Sequence, residues 1–465
     1  MTIARELAAF IRESAEIPAP VLEHAKLAVL DLTTAALAGA RTEVALVSHR
    51  SARSIWKEGA APVWFSGDRL NTAGAALANA ASASALDLDD GHRAAAGHPG
   101  AAIIPAVFAT AAVHRCAPEK ILPAIVLGYE VAVRAAAARD FPELTTLVSG
   151  PWVGYGVVAA ASALRGLPLA TIEQALAIAG ATAPNLSAIA YSKVMGNHIK
   201  EGIPWATASA LAAVDFAVGG FTGPTDLFDN DALYDRKTLL EGLDDAPGEG
   251  WAIRGIYFKP YGCCRWAHAA IDAVLALQSE FGFAFDAVDA IEIETFAWAL
   301  RLNNEIAPKT PESAQYSVPF CVALALTKGA DALIEIGADD LRDPAAIALA
   351  GKVTLKIDPG YDAQFPQQVP SRVRLKTGGA TLVREILAPL GEPTNPMDWA
   401  RLQEKFRNVA AARLSAERTE SFLAAFAQLG GGETTALMAA LALPLPPLER
   451  IGLERIGVVS KPAAL

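Results

Sequence analysis

The chain has 465 residues, 52% of them hydrophobic and 19% charged, with a net charge of −11. That length suggests two or three domains around a large core. The acidic balance argues against nucleic acid as a partner, since nucleic acid wants a basic face, but a local basic pocket can still hold a small anionic substrate.

No stretch offers about 18 unbroken apolar residues, so no membrane span is expected. The N-terminal MTIARELAAFIRES carries Glu6 and Glu13 and reads as an amphipathic helix, not a signal peptide. Up to about residue 240 the pattern is helical. Val21, Ala25, Leu27, Leu30 and Leu32 mark one helix. Residues 121–138 and 155–164 are apolar nearly all round, the signature of helices buried in a multi-helix core. Thr171 before Glu173 reads as a helix start, as does Pro204; Gly219 and Gly220 end the latter helix.

The character changes near Gly248. AIEIET (290–295) alternates strictly and KVTLKI (352–357) is a second strand. RVRLKTGGATLVREI (372–386) predicts two strands around Gly378-Gly379. Helices are expected at 268–281 and 319–328. The helical pattern returns after Asn395-Pro396, with a turn at the junction. The fold class is therefore α+β: a large all-helical domain (1–247), an inserted smaller α+β domain (248–395), and C-terminal helices (396–465) that rejoin the first. Ligand sites favour clefts between domains.

Four cysteines, Cys116, Cys263, Cys264 and Cys321, make no disulfide framework and no C-x-x-C pair. They predict reduced thiols in a cytoplasmic protein, with no metal and no cofactor. There is no phosphate-binding loop and no G-x-S-x-G elbow. GGFTG follows a helix and not a strand, so a dinucleotide site is unsupported.

Three polar clusters remain. Asp87, Asp89 and Asp90, with His92 and His98 behind them, crowd three carboxylates into four positions. That raises at least one pKa or demands cationic partners; the alternative is a solvated loop or helix cap. Tyr191, Lys193, His198 and Lys200 precede the helix near Pro204, whose N-terminus favours anions. Lys259 and Arg265 bracket a tight turn, and arginine grips carboxylates bidentately.

In this order the clusters resemble the MmgE/PrpD family. The matching stretches are LDLTTAALAGA, ALDLDDGHRAAAGHPGAAIIPAVFA, LGYEVAVRAAAA, KVMGNHIKEGIPWATASAL with GGFTGPTDLFD, FKPYGCCRWAHAAIDA and YSVPFCVALAL. The resemblance implies a helical domain with a smaller α+β lid and an active site between them. It also implies a cofactor-free homodimer that removes a proton α to a carboxylate of a small di- or tricarboxylate.

Carried over by motif, Asp87 matches the family's aspartate, His98 its H-P-S/G histidine and Lys259 the lysine opening its K-x-Y/F-P element. Lys200 matches its second lysine, with Lys193 and His198 as alternatives. Two positions depart. Where the decarboxylase and dehydratase branches carry a histidine five residues after that lysine, this chain has Cys264. Near residue 148, where they carry G-x-H-P, it reads LVSGPWVGYG.

The expected mechanism has Lys200, Lys259 and Arg265 hold carboxylates, with Tyr191, Lys193 and His198 as further substrate-binding residues and Lys200 also a catalytic proton-exchange group. His98, oriented by Asp87, exchanges the proton with a near-neutral pKa. The expected reaction is dehydration by a 2-methylcitrate dehydratase-like hydro-lyase. Epimerisation of an iminodisuccinate-like compound is the alternative. A non-enzymatic helical scaffold would instead scatter Asp87, His98, Lys200 and Lys259 over the surface.

Overall fold

The computed structural model describes residues 1–13, 16–140, 143–184, 186, 196–243, 250–429 and 432–447. Alanine-rich segments give the first half its helices, because alanine costs least to hold helical and its small side chain lets helices approach closely. They are α1 (Ile3–Glu13), α2 (Ala19–Gly39), α3 (Glu43–Ile55), α4 (Thr72–Ser84), α5 (Gly100–His114), α6 (Ile121–Ala137), α7 (Gly150–Arg165), α8 (Leu169–Ala181) and α9 (Ile203–Val218). α8 starts two residues ahead of Thr171. Pro168, at φ −61° and without an N–H to lose, precedes it, and Thr171 falls in the first turn.

One buried apolar cluster draws on all nine helices. It also takes Leu402, Phe406, Phe422 and Phe426 from the C-terminal helices Trp399–Ala411 and Ala416–Gln428. Lys405 anchors this return. Its Nζ donates to Asp31 Oδ1 of α2 at 2.6 Å and to the Leu88 carbonyl at 3.1 Å.

Two short ribbons accompany the helices: β1 (Glu58–Pro62) with β2 (Arg69–Leu70), and β3 (Gly91–His92) with β4 (Ile256–Tyr257), both antiparallel. A four-stranded sheet in the order β6-β5-β7-β8 follows, made of β5 (Val288–Thr295), β6 (Val353–Ile357), β7 (Ser371–Thr377) and β8 (Ala380–Ile386). β5 and β6 are parallel and the other pairs antiparallel. Gly378 and Gly379, at φ +55° and +80°, make the tight β7–β8 turn that only glycine enters freely. Ile291 and Ile293 of β5 point inward, as strict alternation requires. They meet helices His268–Phe281 and Val318–Lys328 in a second apolar cluster. Trp251, Ile253, Ile256 and Phe258 pack in the first cluster, and the second begins at Tyr261. Among the described residues, no helix is long and apolar enough to cross a membrane.

Candidate active site

A cavity of about 800 Å³ is lined from both halves of the chain, by His98, Lys200 and Glu201 on one side and Cys264, Arg265 and Tyr316 on another. That is the size of a small-molecule site.

The floor beneath its lining residues is the segment after α4, whose Asp87, Asp89 and Asp90 are buried and do not themselves line the cavity. Asp87 leaves the helix at φ +53°, a left-handed conformation that costs a non-glycine residue energy and must be held from outside. Gln315 Nε2 donates to the Ala85 carbonyl at 3.2 Å and Lys405 to that of Leu88. Lys259 Nζ donates to the Asp87 carbonyl at 2.9 Å and to Asp87 Oδ1 at 2.8 Å. The β3–β4 ribbon brings Lys259 to this point, since it pairs Gly91 with Tyr257. Tyr129 of α6 donates to Asp90 Oδ2 at 2.6 Å, and the Gly100 N–H to Asp90 Oδ1 at 3.1 Å. A side chain at Gly100 would collide with both Asp90 and the Tyr129 hydroxyl.

His98 stands against this floor. Its Nδ1–H donates to the Asp90 carbonyl at 2.8 Å and lies 3.4 Å from Asp89 Oδ2. Its Nε2 is 3.5 Å from Asp87 Oδ1 and 3.8 Å from Glu201 Oε1. Glu201 is itself fixed, because the Ser149 hydroxyl and N–H both donate to its Oε2. The Ser149 oxygen in turn accepts the His98 backbone N–H at 2.9 Å.

Lys200 and Glu201 have φ of +46° and +58°, just ahead of α9. This backbone aims both side chains at the cavity. Lys200 is buried, and its Nζ donates to Gln315 Oε1 at 2.8 Å.

The charges follow from these contacts. Burial and the Lys259 charge press the His98 pKa down. Asp89 and Glu201 outweigh them and raise it to about 9, so the resting ring is an imidazolium. The near-neutral histidine expected from sequence is not what this setting gives. Burial lowers the Lys200 pKa, against the pull of Asp87 and Glu312. Burial would raise Asp87, but Lys259, His98 and Lys200 hold its carboxyl below the ordinary value. Burial also lowers His92 to about 4, so it is neutral.

Asp87, Asp89 and His98 could together ligate a metal, with one ligand atom each inside 4.8 Å. The Lys259 ammonium already supplies a positive charge to Asp87 at 2.8 Å, in competition with any cation there.

The four residues that a scaffold would scatter are thus brought together. His198 is not central: it is exposed, 3.8 Å from Glu312 Oε1. Tyr191 and Lys193 lie outside the described residues. Arg265 lines the cavity, but its N–H groups face inward to Glu392, Leu390, Pro389 and His268.

Residues 5–240 match the sequence model of the MmgE/PrpD N-terminal domain, and residues 261–429 that of the MmgE/PrpD C-terminal domain. The chain belongs to the MmgE/PrpD family. It is 26% identical to a cis-aconitate decarboxylase of Aspergillus terreus, over 85% of this chain and 86% of the relative. It is 25% identical to the human cis-aconitate decarboxylase, over 92% and 91%. A cis-aconitate decarboxylase-like protein of Aspergillus oryzae is also 25% identical, over 90% and 92%. These relatives and the family are enzymes, and so is this member.

Both departures noted in the sequence face the MmgE/PrpD cavity. Cys264 and residues Thr145, Thr146, Leu147 and Val148 line it. Burial pushes the Cys264 thiol far up, so it is no ready proton donor. Among the described lining residues the imidazoles are His92 and His98, and only His98 is charged at neutral pH.

Sequence reasoning left several site residues unassigned. Glu201 sat inside a flagged cluster and Tyr316 opens the YSVPF stretch, so both were visible. Ser149 fell within the LVSGPWVGYG stretch noted only for its missing histidine, and Gln315 carried no signal, because an amide or hydroxyl becomes functional only through what the fold sets beside it.

Proposed function

We propose that this enzyme moves a proton at a carbon next to a carboxylate of a small di- or tricarboxylate, as a hydro-lyase. One observation carries the reading: a buried imidazolium, His98, shares a cavity with a buried lysine, Lys200, whose pKa is depressed. Neighbouring groups whose pKa values are pushed in opposite directions mark an acid and a base. Here the usual roles are exchanged. Lys200, whose lowered pKa eases loss of its own proton, acts as the base that takes the α-proton, and His98 gives its proton to the departing hydroxide. Lys259 holds Asp87 in place and its charge, with that of Lys200 once protonated, offsets the developing enediolate. Asp87 orients His98.

The α+β part, about residues 248–395, serves as the lid over the helical part. The exposed Trp205, Phe216, Val218 and Phe221 on and after α9 support pairing of two copies.

A second reading, decarboxylation, is favoured by the names of the relatives. In it the His98 proton goes to carbon as carbon dioxide leaves.

The test is incubation of the purified enzyme with citrate-type hydroxy acids and with cis-aconitate in deuterium oxide, followed by NMR and ultraviolet absorbance. Loss of water with a new conjugated alkene is the expected result. Carbon dioxide release would establish the second reading instead. Deuterium entry with inversion and no alkene would replace both with epimerisation. No exchange with any polycarboxylate would overturn the proposal.

A further inference from the structure

Arginine has five N–H donors and cannot lose its charge in a protein, so the donors can be accounted for one by one. Arg265 is 2% exposed. Its Nε–H goes to Glu392 Oε1 at 3.0 Å. The two Nη1 hydrogens go to the Leu390 carbonyl at 2.8 Å and to His268 Nδ1 at 3.1 Å. The two on Nη2 go to the Pro389 carbonyl at 3.2 Å and to Glu392 Oε1 at 2.7 Å. His268 can accept because burial and Arg265 keep its pKa well below the ordinary value, while its Nε2–H donates to the Cys263 carbonyl at 3.1 Å. No donor of Arg265 remains for a ligand.

Arg93 stands beside it on the same wall. It heads the turn in which the Ala96 N–H returns to its carbonyl at 3.0 Å, between the bridged His92 and Gly97. Its guanidinium carbon is 4.4 Å from the Tyr257 ring centroid, and that of Arg265 is 4.9 Å from the same ring. Arg93 binds Glu392 through Nε, at 3.2 Å, and through Nη2. That leaves both Nη1 hydrogens and one on Nη2, and Arg93 lines the cavity with 14% of its side chain exposed. One carboxylate, Glu392, thus serves two guanidinium groups. The wall keeps one net positive charge, and the unspent donors belong to Arg93. Toward His98, by contrast, Asp87, Asp89 and Glu201 offset the cations.

We propose that Arg93 is a substrate-binding residue. It takes a carboxylate that does not react, and Arg265, Tyr257 and Glu392 hold it rigidly for that purpose. This rests on the polycarboxylate reading above and sharpens it: the substrate carries at least two carboxylates, one at the carbon that exchanges its proton and one at Arg93. The planar fork suits a carboxylate as a single ammonium does not.

The test is calorimetric binding of tricarballylate, a triacid with no hydroxyl to lose, and of its terminal monoamide. It uses wild type, Arg93→Gln and Arg93→Lys, with melting temperatures recorded for each. Wild type should favour the triacid. In Arg93→Gln its affinity should fall at least tenfold, the preference over the amide should vanish, and Arg93→Lys should lie between. Equal affinity in wild type and Arg93→Gln would overturn the assignment and leave the polycarboxylate reading standing. Equal loss for both ligands would make Arg93 a wall support and also overturn it. Failure of wild type to bind any polycarboxylate would overturn the reading and the assignment together.

Discussion

Replacing Glu201 with glutamine removes one of the carboxylates that hold His98 charged, and keeps an acceptor for Ser149. The magnitude follows from the geometry. Glu201 Oε1 lies 3.8 Å from His98 Nε2, and the Glu201 side chain is 20% exposed. Two unit charges at that distance interact by about 4 kcal/mol at an effective dielectric of about 20, and by about 1 kcal/mol in water. Partial exposure places the real value between these, a change of about 1–3 pKa units. The His98 pKa, about 9 in the native site, should then fall to roughly 7. The general acid must be protonated, so the alkaline limb of kcat/KM should move down by about two units. Glu201 also raises the Lys200 pKa, so the acid limb should move the same way and the whole bell should slide to lower pH. At pH 8 the variant should retain about a tenth of the protonated histidine, with little change near pH 6. The assay is the pH profile of deuterium exchange into the substrate, with the His98 Cε1 resonance titrated in parallel. An unmoved alkaline limb, or one moved upward, would refute the assignment of His98 as acid.

His98→Gln should lower kcat by about 10²–10⁴-fold. It should also cost stability in a pH-dependent way. A histidine raised from 6.5 to about 9 on folding contributes about 3 kcal/mol below pH 6.5 and loses it as pH rises toward 9; urea melts should therefore show the variant's deficit at pH 6 and little of it at pH 9. Lys405→Met strands the fully buried Asp31 without its cation, and should destabilise by about 3–5 kcal/mol in urea titration near pH 8. Because burial already raises the Asp31 pKa, that loss should shrink in acid, where the carboxyl is neutral.

The helices and strands were legible because their cause is local. Alternation in AIEIET and a Gly-Gly turn need nothing beyond neighbouring residues, and both formed as read. The clusters of Asp87, His98, Lys200 and Lys259 were legible as motifs, since each crowds polar residues into a short stretch of an alanine-rich chain. Their protonation states were not. A histidine in sequence is neutral or charged according to which carboxylates the fold brings within 4 Å, and Glu201 lies 103 positions from His98 along the chain. Arg265 misled for the same reason. A lone arginine beside a turn looks free to grip a ligand, yet Glu392, Pro389 and Leu390 arrive from more than 120 positions away to occupy it.

What separates the two catalytic candidates is the partner each is given at equal burial. Desolvation disfavours the charge on both His98 and Lys200, and for Lys200 it prevails. His98 faces Asp87, Asp89 and Glu201 within 3.8 Å, so coulombic attraction reverses the penalty. Lys200 is handed a neutral amide, the oxygen of Gln315, which accepts a hydrogen bond and returns no charge. Gln315 can play that part because its amide nitrogen is spent on the Ala85 carbonyl, which fixes which end of the side chain meets the lysine. Lys259, the third buried cation, has Asp87 at 2.8 Å and keeps its proton. Two buried lysines are thus set apart, one with its charge held by a carboxylate and one with its pKa lowered beside an amide, which is the asymmetry the proposed acid and base roles rest on.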